Sequence, residues 1–362
     1  MTQIFSNLIP IFIAIIVFSI LVIVHEFGHY IVAKKSGIFV EEFAVGMGPI
    51  LISKKIGETI YSIRALPLGG FCRMMGEDEN CNDERAFNQK SVFKRMAVVV
   101  AGPFMNFVLA FFICTILVSS SGFATTTIES LISGGGAEIA GLKVGDQIKK
   151  INNVNISVYE DLSFFMMENN GEKVTVEIKR ENEKLKIDVQ PFQLEDGRWI
   201  LGFSPKFKIG FFGNDKEGYE KATIFETIKT GFDTMCFYIR STIIGFIRLF
   251  TFNVSVDEIA GPIGIIEVVG NSYEQGIKHS LGAAISNISS IAALLSANLG
   301  AINLFPIPAM DGGRLIFLII ESFRGKPISP EKEGMIHFVG FACLMAFMVF
   351  IAYNDISRIF FN

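Results

Sequence analysis

Charge is what this chain is short of: 19% of its 362 residues are Asp, Glu, Lys or Arg, against about a quarter in a soluble domain. The deficit is not spread evenly. Four windows hold no charge at all: Met1 to Val24, Met96 to Ile128, Ser280 to Met310 and Gly334 to Asn354. A helix needs about 20 residues to cross about 30 Å of hydrocarbon, and each window supplies them. The next longest, Phe43 to Ser53, is too short. A wholly soluble protein is therefore excluded, and the lipid bilayer is one of the chain's partners.

Other absences narrow the choice further. There is no excess of basic residues, the net charge being -4, so no nucleic-acid partner is expected. The five cysteines, Cys72, Cys81, Cys114, Cys236 and Cys343, lack the spacing of a zinc finger or a disulfide framework, and no structural disulfide is expected. The first window has neither a basic start nor a small-residue cleavage site, so it reads as a retained span rather than a secretory signal. Lysine and arginine are missing from its N-terminal flank but crowd Lys34 to Arg95 and return at Arg324, Lys326 and Lys332. By the positive-inside rule those two loops are cytosolic, and both termini and the long middle region lie outside the cell.

The middle region starts with a glycine-rich run, Ser133 to Gly136, and continues in β-type alternations such as Val174 to Ile178 and Leu185 to Val189. These predict a small β-rich domain over 122–206. From Ala222 to Phe250 apolar residues recur at helical spacing, but Glu226, Lys229, Asp233, Arg240 and Arg248 interrupt them. The pattern predicts an amphipathic helix, lying on the outer membrane face or packed on the protein itself. The cytosolic stretch Glu42 to Glu77 is rich in Gly and β-formers and predicts one or two hairpins close to the membrane, with Ile63 on an open strand edge. The chain thus divides into an N-terminal membrane part, 1–121, the β-rich domain, 122–206, a linker with the amphipathic helix, 207–279, and a C-terminal membrane part, 280–362.

The first span ends in His25-Glu26-Phe27-Gly28-His29. On a helix, residues i and i+4 share a face, so two imidazoles can grip one Zn²⁺ while Glu26 is placed as a general base. A carboxylate at the edge of an apolar helix is costly and defaults to function. Catalytic zinc needs a third protein ligand. The position that would extend the motif with another histidine holds Lys35, so the ligand must come from farther along. The third window closes with Asn303-Leu304-Phe305-Pro306-Ile307-Pro308-Ala309-Met310-Asp311. By composition alone Asp311 is either a helix N-cap or the missing ligand.

These two motifs together resemble the site-2 protease family of intramembrane zinc metalloproteases. The nearest resemblance is to bacterial members, the regulator-of-sigma-factor proteases, which clear anti-sigma factors and signal-peptide remnants. Further matches are Gly46 to Pro49, Gly69 to Glu77, Gly102 to Asn106 and Gly261 to Ile265. The resemblance implies His25, His29 and Asp311 as zinc ligands, Glu26 as general base, and Asn298 and Asn303 as substrate-holding residues. The run Ala140 to Ile148 is similar to that of a PDZ domain, which binds extended peptides or free C-termini by strand addition. The implied fold is a polytopic α-helical membrane protein with four transmembrane helices, a membrane-proximal β-hairpin region and one inserted extracytosolic PDZ domain. The implied function is zinc-dependent endoproteolysis of single-span membrane proteins within the inner (plasma) membrane, at a site near the cytosolic side. A different reading is a non-catalytic zinc-binding scaffold or sensor that uses the PDZ domain. Glu26, which a purely structural zinc site does not need, favours the protease.

Overall fold

The structure is a computed structural model, and it describes residues 2–77, 79, 81–251 and 261–361. In chain order the membrane part opens with α1 (Thr2–Lys35), β1 (Val40–Ile56), β2 (Thr59–Met74) and α2 (Val92–Ser121). The middle region holds β3 (Phe123–Leu131), α3 (Gly136–Ile139), β4 (Gln147–Ile151), β5 (Val154–Asn155), α4 (Tyr159–Glu168), β6 (Val174–Arg180) and β7 (Glu183–Val189). Then come β8 (Phe192–Gln193), β9 (Trp199–Ile200), β10 (Phe203–Ile209) and β11 (Glu220–Lys221). The chain returns to helix in α5 (Ile224–Phe250), α6 (Pro262–His279), α7 (Leu281–Leu304), α8 (Asp311–Arg324) and α9 (Pro330–Phe361). Two compact units result, one of Met1–Ala110 with Tyr238–Asn362, the other of Phe111–Phe237.

Among the described residues, four helical segments are long and apolar enough to cross a membrane: Ile9–Lys35, Val92–Ser121, Leu281–Leu304 and Glu331–Ser357. They fall on the four charge-free windows, and the chain is a multi-pass membrane protein. In the first unit, α1 and α2 cross so closely that a Cβ on Gly28 would lie 2.2 Å from the carbonyl oxygen of Ala101. Only glycine allows that approach. α7 meets α2 in the same manner at Gly300, where a Cβ would lie 2.9 Å from the Pro103 carbonyl oxygen, and Ala293, Ser296, Ala297 and Ala301 of α7 are buried as well. Close backbone approach by small residues is how helices pack where water supplies no hydrophobic drive.

The predicted hairpin region is one sheet, folded back on itself. Bulges break both strands, with Gly46, Gly48 and Gly69 at positive φ. Residues 42–45 consequently pair with 70–73 on one side and with 60–63 on the other, while 52–56 pair with 59–63. Ile63 therefore lies opposite both Val45 and Ile52, inside the sheet. This corrects the expectation that it sits on an open edge. The outer segments are 70–74 and 50–56. The bend between 66 and 69 reaches the middle of α1, where Ser19 donates its hydroxyl to the Pro67 carbonyl at 2.7 Å.

In the second unit the sheet order is β11-β10-β3-β4-β6-β7, with β5 beside β4. The expected alternation is present: Val174, Val176 and Ile178 point into a core with Ile128, Ile148, Ile151 and Val189. Asp146 is fully buried and held by Arg180, Nε to Oδ1 at 2.7 Å and Nη2 to Oδ2 at 2.8 Å. The sheet runs past residue 206 through β10 and β11, farther than the alternations suggested. Within the expected linker, 252–260 lie outside the described residues, and α5 packs on protein, a Cβ on Gly231 falling 2.3 Å from Thr115 Oγ1. Thr223 and Glu226 close a capping box at its start, and Phe246 stacks on Phe305 at 4.5 Å near its end.

Candidate metal centre

His25 and His29 project from the last turns of α1 and are both buried. A Cβ on Gly102 of α2 would fall 2.3 Å from His29 Nε2 and 2.9 Å from His25 Nε2. The absence of a side chain there is what leaves room for the two rings. Asp311 reaches them from the far end of the chain. It is the first residue of α8, Met310 occupying the cap position without any side-chain capping bond. Its carboxylate is turned to the histidines instead, with Oδ2 3.1 Å from His25 Nε2 and 3.4 Å from His29 Nε2.

The two Nε2 atoms are 3.2 Å apart, so three donor atoms form a nearly equilateral triangle. Donors bonded at about 2.0–2.1 Å to one tetrahedral zinc lie about 3.3 Å from each other. The residues present therefore fit such an ion and leave its fourth position open. His29 Nδ1 is 2.8 Å from the Val98 carbonyl oxygen, which can only accept, so Nδ1 carries a hydrogen and Nε2 is the ring nitrogen turned to the Asp311 carboxylate. Among the described residues this is the one set of three metal-ligating side chains found close enough together to share an ion.

Glu26 lines the adjoining cavity, whose volume is about 970 Å³. Its Oε2 accepts the Cys72 amide at 3.0 Å. Cys72 lies on the outer segment 70–74, so that strand's free edge runs past Glu26. Burial pushes the Cys72 thiol up, and the Glu26 and Glu77 carboxylates add to the effect. It is a neutral thiol at physiological pH and no thiolate ligand. Asn303 also lines the cavity, its Nδ2 donating to the Leu299 carbonyl at 2.9 Å. Asn298 faces elsewhere, accepting the Thr242 hydroxyl of α5. The strand–helix frame around the cavity is tied by Arg95, which grips Glu321 with both terminal nitrogens at 3.0 and 2.5 Å, and by Arg314 with Glu77.

The bend that presents Asp311 has its own support. Ala309 adopts φ +71, unusual for a residue other than glycine. Its amide donates to Nδ1 of His337 on α9 at 2.8 Å. Val98 and His337 were invisible as site residues in the sequence, whereas Gly102 and Asn106 delimit a run that the family resemblance singled out without giving either a role.

Peptidase family M50 matches this chain over residues 13–347. The chain belongs to that family. Its members are the site-2 proteases, and this site-2 protease is a metalloendopeptidase. Over almost their whole length, relatives agree: the zinc metalloprotease RasP of Shouchella clausii is 33% identical, with 96% of this chain and 98% of the relative covered. The regulator of sigma-W protease RasP of Bacillus subtilis is 32% identical with the same coverage, 96% and 98%. A solved PDZ domain of an SdrC-like protein from Listeria monocytogenes overlaps 24% of the M50 chain and 87% of its own, at 15% identity and a TM-score of 0.20. That likeness is too weak to argue from.

Proposed function

We propose that this site-2 protease cuts transmembrane segments of single-span membrane proteins with zinc held by His25, His29 and Asp311, and that Glu26 is its general base. The observation that carries the reading is the triangle of donor atoms next to Glu26. His25, His29 and Asp311 would hold zinc there, which would supply water acidification and polarisation of a peptide carbonyl. Glu26 takes the proton from the attacking water and returns it to the leaving amine.

A substrate helix hides its peptide bonds in its own hydrogen bonds, so it must unwind locally before it is cut. The free edge of 70–74 offers replacement backbone partners alongside Glu26, and an unwound segment can add to it as a strand. The cavity-lining position of Asn303 supports a role for it in holding that segment. For Asn298 the geometry supports interhelical bonding to α5 instead. The substrate class we favour is anti-sigma factors and signal-peptide remnants, in keeping with the sigma-W regulatory role in the name of the Bacillus subtilis relative. The lysine and arginine distribution supports a plasma-membrane protein with both termini and the β-rich unit outside, the cavity opening to the cytosol. The Ala140 to Ile148 run supports a PDZ-like role for that unit in engaging peptides or C-termini.

The test is a single-span reporter with a short external tail, co-expressed with the wild-type chain or with Glu26→Gln and followed by size on a gel. Shortening that depends on Glu26 supports the protease. A panel of such reporters left intact by a wild-type chain that holds zinc would support the scaffold reading instead.

A further inference from the structure

His25 Nε2 faces Asp311 and His29, and its other ring nitrogen, Nδ1, lies 3.2 Å from the side-chain amide of Asn106 on α2. Asn106 is fully buried. In the arrangement seen, Nδ2 is the end turned to the ring, while Oδ1 has no partner among the described residues. An amide N–H can only donate. That arrangement makes His25 Nδ1 an acceptor, which in a neutral ring puts the hydrogen on Nε2 and leaves no lone pair for a metal. A half-turn of the amide exchanges its near-isosteric ends and breaks no bond made by Oδ1. It turns Oδ1 toward Nδ1–H and frees Nε2 to bind.

Resting on the zinc reading above, we infer that Asn106 is a positioning residue for the metal centre: its Oδ1 accepts from His25 Nδ1–H whenever zinc is bound, setting the ring's tautomer and orientation. Val98 does the same for His29 with a backbone carbonyl. Metal-bound histidines commonly need such an outer acceptor, and its loss costs about 10–100-fold in metal affinity. Asn106 is itself fixed from the other side, since Ser296 of α7 donates its hydroxyl to the Asn106 backbone carbonyl at 2.8 Å. One residue of α2 thereby ties the α1 ligand to the helix that leads into the Asp311 bend.

Asn106→Leu removes the polar end at similar volume, whereas Asn106→Asp keeps an acceptor and removes the donor. The experiment loads the detergent-purified full chain and each variant with zinc, then follows zinc loss to a colorimetric chelator. Thermal unfolding of the metal-free forms is measured alongside. Asn106→Leu is expected to lose zinc about 10–100-fold faster than wild type, while Asn106→Asp holds it at least as long as wild type does. Asn106→Asp separates the two orientations even if the leucine variant fails to fold: faster loss from Asn106→Asp overturns the inference, because a carboxylate cannot replace a donor. Equal loss rates from Asn106→Leu and wild type also overturn it. A wild-type chain that takes up no zinc overturns the metal reading itself, a result distinct from either of these.

Discussion

At the scale of single residues, the site depends on a few atoms that nothing else can replace. Glu26→Gln keeps the shape but removes the base, so cleavage is expected to fall about 10²–10⁴-fold with zinc content unchanged, measured by reporter cleavage and metal analysis on one preparation. Gly102→Ala makes a sharper demand. A methyl group 2.3 Å from His29 Nε2 cannot coexist with the ring, so zinc should be lost while the helices remain, checked by metal analysis and circular dichroism. The role of Asp311 could not be read from composition because cap and ligand make the same residue choice, and 281 positions separate it from His29. The fold makes Met310 the cap residue, which leaves the Asp311 carboxylate free for the ligand role proposed above. The pair His25 and His29, in contrast, was legible because helical periodicity alone puts them on one face.

Elements hold those atoms in place, and the hairpin shows best why local reading fell short. Alternation reveals strands but not their neighbours, and the bulges at Gly46, Gly48 and Gly69 carry residues 60–63 into the interior. The edge idea survives at 70–74, where Cys72→Pro removes the edge amide that also holds the Glu26 carboxylate. Cleavage should drop at least about tenfold, the loss expected for about 1.4 kcal/mol of transition-state binding, while zinc stays bound and Cys72→Ser cleaves normally. Undiminished cleavage by the proline variant would refute strand addition at this edge. α8 depends on its ion pair in a similar way. Arg95 and Glu321 have side chains only 11% exposed each, so Glu321→Ala strands a buried cation and should cost about 3–5 kcal/mol. The paired change Arg95→Met with Glu321→Leu should recover most of the loss, as read by thermal unfolding in detergent.

Across the whole molecule, charge-free windows were enough to place four spans because hydrocarbon imposes a length and excludes ions. The extent of the β-rich unit was less legible, since β10 joins by pairing with the distant β3 and the two-residue β11 only by pairing with β10. That unit carries a pH dependence. Burial alone would raise the Asp146 carboxyl, but the Arg180 guanidinium and the Lys143 amide outweigh it and hold the group below the usual carboxylate range. Its contribution to stability is therefore present above about pH 4, the unfolded value, and disappears as pH falls through the lower folded value. Hydrogen exchange on the full chain should show β3, β4 and β6 losing protection on acidification below about pH 4, and Asp146→Asn should flatten that profile. An unchanged profile in the variant would show that Asp146 is not the group responsible.

If residues from opposite ends of the chain hold one zinc ion beside Glu26, zinc K-edge absorption on the purified wild-type chain and on Asp311→Ala will show it. That arrangement requires one zinc per chain with only nitrogen and oxygen neighbours at about 2.0–2.1 Å, and loss of most of that zinc from Asp311→Ala. A sulfur neighbour at about 2.3 Å, or full zinc retention without Asp311, would contradict it.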